Sequence, residues 1–237
     1  MGGALVATPL YSLNMDAISI NEGIAKLKLL EKKHLELGMQ MLKAYDGAFY
    51  LFDMLALAAL NRSLSLCSGF RKMIYLRNFI CAAPLVRLQL DSVLRIYAAF
   101  IVDDPHSFSR NVFNGISVRN QRDKNGRKMT DVNLVEDLSK DYKWIKNVYK
   151  QTSGYIHLSE KHISNTHKSF DKETNSVEHI VSTNQSFLPK EIFLEAINAF
   201  IACTEVLFKY LEGWVFTKDN PELVEEIVKR RKSKKTV

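Results

Sequence analysis

The sequence predicts a mainly α protein folded as a helical bundle, on three observations. Ile20, Ile24, Leu27 and Leu30 recur every three or four positions with Lys and Glu on the other faces, the spacing of one helix face. The segment PLVRLQLDSVLRIYAAFIV, residues 84–102, is apolar on every side, which marks a central helix surrounded by others. Proline, with Asp, Asn and Gly, punctuates the chain where such helices start and stop.

Taken in order, residues 1–14 read as an irregular arm. A first helix is expected from Asp16 to about Ala44 and a second from Ala48 to about Leu76, its end weakened by Gly69. Pro84 suits the first turn of the third helix, where its missing N–H would be unpaired anyway. Asp103, Asp104 and Pro105 stop that helix and start a short one, which Asn114 and Gly115 can end. Residues 116–128, ISVRNQRDKNGRK, form a basic loop with a turn at Asn125 and Gly126. Thr130 with Asp131 opens another short helix, and Tyr142 to about His157 gives one more. The Ser/Thr/Asn-rich stretch 164–187 allows a small β-hairpin around Val177 to Val181. Pro189 begins a long amphipathic helix through Trp214, and Pro221 a last short one. With no internal repeat, residues 15–228 read as a single domain of about five to eight helices. Residues 229–237 read as a basic, disordered tail.

Composition narrows the class. The chain has 237 residues, 46% hydrophobic and 25% charged, enough for one substantial core. No run reaches the roughly 18 to 20 apolar residues that span a bilayer. Asp53 interrupts YLFDMLALAAL, and Arg87, Asp91 and Arg95 interrupt the next rich region, so no membrane partner is expected. MGGALVATPL has no basic n-region and no long apolar run, and Val6 stands where a myristoylation motif needs Ser or Thr; a cytoplasmic location is expected. Of the net charge of +7, the tail segment KRRKSKK supplies six, leaving the rest at +1. That nearly neutral body argues against broad nucleic-acid binding, and the tail reads as solvated or as a phosphate-binding arm. Cys67, Cys81 and Cys203 are widely separated in apolar surroundings, which suggests buried reduced thiols, not a disulfide framework or a CxxC zinc site.

Two places carry candidate chemistry. Arg87, Asp91 and Arg95 are spaced i, i+4, i+8 and share a stripe about 80° wide on the central helix. Two arginines against one aspartate leave a surplus cation, which a carboxylate from elsewhere, with Glu160 the candidate, or a bound phosphate or carboxylate would complete. Gln89 and Ser92 point to other faces and add little. The second place is SGYIHLSEKH, residues 153–162, where Tyr155, His157, Ser159, Glu160 and His162 crowd together. If the helix ends near Gly154, the alternation of Tyr155, His157 and Ser159 puts them on one side of an extended segment, and a histidine there can move protons near neutrality. The plain alternative is a helix terminus whose Ser and His satisfy backbone groups. His157, His162 and His167 are spaced by five, unlike HExxH, and Ser153 and Ser159 lack a GxSxG elbow. Neither a metal nor a cofactor is expected.

PLVRLQLDSVLR, KMTDVNLV and VYKQTSGYIHLSEKHI resemble a group of uncharacterised bacterial proteins that share these three segments. The Arg-rich central helix, followed by a helix ending in Ser-x-x-x-His-x-Ser, resembles all-helical families related to the HEPN-like bundles, over roughly residues 60–165. That resemblance implies a short helical bundle, frequent dimerisation and, in many members, a metal-independent ribonuclease of toxins and phage defence with an Arg-x4-6-His signature. Arg77-Asn78, Arg110-Asn111 and Arg119-Asn120 begin like that signature, but no His follows at the required distance. The resemblance therefore implies a displaced version, in which Arg87 or Arg95 holds phosphate and His157 moves the proton of a 2′-hydroxyl.

Three functions are compatible with these features. The first is an Arg/His pocket, with Asp91, Tyr155, Ser159, Glu160 and His162 around it, that binds RNA or a nucleotide phosphate and cleaves RNA. The second is a non-catalytic interaction or scaffold protein whose Arg/Asp/His cluster is structural and whose basic tail contacts a partner; a homodimer is what the HEPN-like resemblance implies. The third is a small-molecule-binding module unrelated to nucleic acid.

Overall fold

A computed structural model describes residues 19–171, 174, 176–223 and 226; the expected arm 1–14 and basic tail 229–237 lie outside them. The described chain is a helical bundle of α1 (Ile20–Lys43), α2 (Leu51–Tyr75), α3 (Phe79–Phe100), α4 (Pro105–Phe113), α5 (Asp131–Leu138), α6 (Trp144–Ser153), α7 (Glu160–Ser164) and α8 (Lys190–Asp219). A hairpin of β1 (His167–Asp171) and β2 (Ser176–His179), antiparallel with Phe170 opposite Val177, lies in the stretch where one was expected. No helix among the described residues is long and apolar enough to cross a membrane.

The starts of α1, α4 and α5 have local causes. Ser19 and Glu22 form a capping box on α1, the Glu22 carboxylate accepting from the Ser19 amide at 2.6 Å and the Ser19 hydroxyl from the Glu22 amide at 3.2 Å. Asp104 caps α4 ahead of Pro105, and Thr130 caps α5, as the sequence indicates. Between α1 and α2 the chain reverses through three consecutive left-handed residues, Tyr45, Asp46 and Gly47. Two of these are not glycine, so the turn is held from outside: the Tyr45 amide donates to the Asp219 carboxylate at 2.6 Å.

The third helix begins earlier than expected. Asn78 accepts from the Cys81 amide at 3.1 Å and Gln185 Oε1 accepts from the Phe79 amide at 2.8 Å, so the first turn closes at Phe79 and Pro84 falls in the second. The proline leaves the Ile80 carbonyl without its helical donor. Burial of Phe79 against Phe193 and Tyr155 offsets that loss, at about 1.5–3 kcal/mol for a side chain of this size. Two further bounds differ from expectation: α6 stops at Ser153, not His157, and α8 continues past Trp214 to Asp219.

Helix α3 is central, packed against α2, α4, α5, α6 and α8. Stacked Phe70 and Phe200 (4.4 Å between centroids) join α2 to α8 within the core. A polar string crosses all four long helices inside it. His34 Nδ1 donates to the Leu30 carbonyl at 2.7 Å, so its Nε2 accepts from Ser63 Oγ at 2.7 Å. Ser63 in turn accepts from Gln89 Nε2 at 2.7 Å, and the second Gln89 N–H reaches Thr204 Oγ1 at 3.0 Å. Gln89 is therefore a core tie and not a bystander on another face, and its Oε1 has no hydrogen-bond partner among the described residues. Near the ends of α1 and α8, Lys218 is buried on Asp53 at 3.1 Å. Trp214 Nε1 donates to the same carboxylate at 2.7 Å, and Lys218 also donates to the Met41 carbonyl at 2.9 Å. That pair is why α8 runs on.

The thiols are not uniform. Cys67 and Cys203 are buried, and burial pushes the Cys67 thiol up to about 12. Cys81, expected to be buried with them, is exposed, because the earlier start of α3 places it on the solvent side of the first turn.

Candidate functional site

The stripe on α3 is the middle of a longer ladder. Arg95 donates to Asp91 and to Asp131, both at 2.6 Å, and Arg87 donates to the other Asp131 oxygen at 3.0 Å. Arg62, from α2, donates to Asp91 and to Ser92 Oγ, both at 2.9 Å. Ser92, set aside in the sequence, thus fixes the far end of the row. The Arg87 guanidinium carbon lies over the ring of Tyr149 from α6, 4.4 Å from its centroid. The row alternates in sign as Arg62, Asp91, Arg95, Asp131, Arg87.

The carboxylate that meets both α3 arginines is Asp131, the first residue of α5, and not Glu160, which is exposed. Burial works against the Asp131 charge, but Arg95 and then Arg87 outweigh it and hold the carboxyl below its ordinary range. Arg95 is likewise raised: burial opposes its charge, and Asp91 and Asp131 more than compensate. Asp131 stands at the N-terminus of α5, where the positive end of the helix dipole also favours its charge. Among the described residues the ladder carries three guanidinium groups against two carboxylates, so the surplus cation expected from the α3 residues persists there, now with its exposed end at Arg62.

The 153–162 segment is satisfied close to home. Ser153 Oγ donates to the Tyr149 carbonyl at 2.7 Å and Thr152 Oγ1 to the Val148 carbonyl at 2.6 Å, closing the end of α6. Ser159 Oγ donates to the Gly154 carbonyl at 2.6 Å and accepts from the Lys161 amide at 3.3 Å, while His162 Nδ1 accepts from the Ser159 amide at 3.3 Å. The geometry is that of a helix end followed by a capped turn. Tyr155 does not share a surface with His157: it turns inward, edge-on to Phe79 at 5.7 Å and to His162 at 5.9 Å, while His157 and Leu158 face solvent. Lys161 sits over the Tyr155 ring at 5.1 Å and donates to Gln151, and burial lowers its pKa.

Helix α3 also sets the distance between the two places. Tyr149 meets Arg87 and Tyr155 meets Phe79, so α6 and the turn after it run antiparallel to α3. Phe79 and Arg87 are eight positions apart, about 12 Å along the axis. The buried contact of the 153–162 segment is therefore the aromatic start of α3, and its arginines are met by α5 and α6 instead. Among the described residues no three of His, Cys, Asp and Glu gather as a metal-binding group. His157 and His162 occupy an exposed turn and α7, and His167 opens β1.

Compared with protein families, with curated proteins and with solved structures, the chain matches none.

Arg62, Asp131, Tyr149 and Ser92 are the members of the ladder that the sequence does not point to. Asp131 reads there as the acidic first turn of a helix, which it is. The one available signal was the arginine surplus, which required a carboxylate without saying which of the 26 acidic residues it was.

Proposed function

We propose that the protein is a non-catalytic interaction protein that pairs with a second copy of itself, its Arg/Asp ladder and histidine-bearing turn serving structure. The observation that carries this reading is an apolar edge where α1 turns into α2. Leu35, Met39 and Leu42 stand at i, i+4, i+7 on α1, and Tyr45, Phe49 and Met54 continue the edge around the turn, each between 42% and 62% exposed. Large apolar side chains left in water on neighbouring turns are the kind of surface that a partner covers, in ordinary stable interfaces at ~800 Å² per partner. A two-fold pairing of this edge would cover it on both copies at once.

Sedimentation velocity on the full chain tests the pairing: a dimer is expected for the wild type and a monomer of unchanged helicity for Leu42→Glu. A wild-type monomer at high concentration would count against it. Incubation with total RNA in EDTA tests the absence of cleavage. Wild type, His157→Ala and Arg87→Ala are expected to leave RNA equally intact, and wild-type cleavage lost in His157→Ala would overturn the reading.

A second reading, binding of a phosphate-bearing ligand such as RNA or a nucleotide, is favoured by one observation: the ladder's surplus cation, with Arg62 at its exposed end. Titration with inorganic phosphate and with a nucleoside monophosphate, wild type against Arg62→Gln, separates it from the first. Saturable binding lost in the variant would support it, and equal, weak responses would remove it.

A further inference from the structure

While His34 is neutral, the polar string inside the core admits one order of donors and acceptors. Nδ1 carries the hydrogen, because it faces the Leu30 carbonyl at 2.7 Å and two lone pairs would repel there. Nε2 is then an acceptor, and the Ser63 hydroxyl, at 2.7 Å, donates to it. With its hydrogen spent, Ser63 Oγ accepts from Gln89 Nε2 at 2.7 Å, and the second Gln89 N–H goes to Thr204 Oγ1 at 3.0 Å. Thr204 gives its own hydrogen to the Phe200 carbonyl at 2.9 Å.

A second order fits the same heavy atoms. A hydroxyl offers a donor or an acceptor by rotating its O–H, and a primary amide does so by turning over. If Nε2 also carries a hydrogen, it donates to Ser63 Oγ, and the Ser63 hydroxyl then needs an acceptor. Ser65 and Ser92 bond carbonyls one turn back in their own helices, at 3.0 and 3.2 Å. Ser63 reaches no carbonyl among the described residues; its partners are His34 and Gln89. The acceptor at hand is Gln89 Oε1, buried and unpaired among the described residues. Turning the amide over brings Oε1 to face both Ser63 and Thr204, and the Thr204 hydroxyl leaves the Phe200 carbonyl to donate to it.

The surroundings of His34 oppose its charge without forbidding it. Burial lowers its pKa, while the Leu30 carbonyl and the Glu31 carboxylate act the other way. Arg71 of α2 holds Glu31 at 2.8 Å, and α2 also presents the buried Cys67 thiol. On the α8 side the Phe208 ring stands edge-on at 4.6 Å, and the α8 carboxylates Glu205 and Glu212 are paired with Lys26 and Lys33 of α1. From α3 comes Gln89, which is uncharged. The reversed order puts Gln89 Nε2 where Oε1 was, as a buried donor without a partner, which adds to the cost of the cation.

We propose that this string is a proton-operated switch: when His34 takes a second proton on Nε2, its bond to Ser63 and the bonds from Ser63 to Gln89 and from Gln89 to Thr204 all reverse, and the Gln89 amide turns over. The proton comes from water, and no other covalent bond changes. The Nδ1–Leu30 bond survives, so the change runs from α1 through α2 and α3 to α8.

NMR of the full chain from pH 8 downward tests it, following the His34 ring nitrogens, the Gln89 side-chain amide and the Thr204 backbone amide. In the folded wild type the Gln89 and Thr204 signals are expected to shift with the same midpoint as the His34 ring, below 6.5, while the Leu30 carbonyl signal stays in place. Ser63→Ala cuts the string: His34 should still titrate, and Gln89 and Thr204 should stop responding. In Gln89→Met the Ser63 hydroxyl loses the acceptor it needs in the charged state, so His34 is expected to titrate at lower pH than in the wild type, with Thr204 silent. Coincident midpoints in the wild type that both variants uncouple would support the switch. Gln89 and Thr204 signals that stay still while His34 titrates, an undiminished Gln89 response in Ser63→Ala, or unfolding of the wild type before His34 is charged would overturn it.

Discussion

Near the ends of α1 and α8, Lys218 and Asp53 are closed off from water, with side-chain exposures of 0% and 1%. Along α3, the members of the ladder keep between 12% and 40%. The first cluster is neutral and complete: Asp53 accepts from Lys218, Trp214 and the Tyr50 amide, and Lys218 finds a carbonyl as well. The second alternates along a helix face, keeps one positive charge in excess and stays in touch with solvent. Both join helices distant in sequence, but they tolerate loss differently. Where water cannot enter, removing one partner strands the other as a bare ion; where it can, water takes over part of the lost contact.

That difference orders the expected effects of mutation. Lys218→Met leaves Asp53 buried without its cation and is expected to destabilise the protein by about 3–5 kcal/mol, measured by urea unfolding. Asp131→Ala takes the shared acceptor from Arg87 and Arg95 but leaves both within reach of water, so a smaller loss of about 1–3 kcal/mol is expected. An equal or larger loss at Asp131 would erase the contrast, and would show that the ladder is effectively sealed.

A pH series sharpens it. His34 is buried, and burial lowers its pKa from the ordinary 6.5. Below 6.5 the unfolded chain therefore binds more protons than the folded one, so this contribution is complete above 6.5 and declines as pH falls toward the folded value. Asp131, held below 3.8 in the fold, contributes stability that is lost only at lower pH, as the carboxylate is finally protonated. Melting temperature followed from pH 8 downward should thus fall in two stages. His34→Gln is expected to remove the upper stage and Asp131→Asn to flatten the lower. A His34→Gln curve parallel to the wild type throughout would show that the polar string across the core does not couple to the proton.

The same contrast explains what could be seen in advance. The bundle, the central position of α3 and the helix starts at Asp104 and Thr130 follow from local pattern, because caps and apolar spacing act within a turn or two of chain. Partners across the bundle do not. Asp53 reads as an interruption in an apolar run, and its cation stands 165 positions later. Gln89 and Ser92 look peripheral on a helix wheel drawn for α3 alone, and only the arrival of Ser63, Thr204 and Arg62 from other helices makes them structural. Pro84 was misleading for the opposite reason: a strong local rule was overridden by Gln185, which reaches back more than a hundred positions to close the turn at Phe79. The candidate site shows both sides. Its charge surplus was legible, and the identity of Asp131 was not.

The unequal thiols have a practical consequence. In the native protein a bulky alkylating reagent should reach Cys81 within its ordinary reaction time and leave Cys67 and Cys203 intact, so one dye or spin label can be attached without mutagenesis. The two protected sulfurs then serve as clocks, since each is modified only when the helices around it part. Counting labels per molecule over time would report how often this bundle opens while it still looks folded.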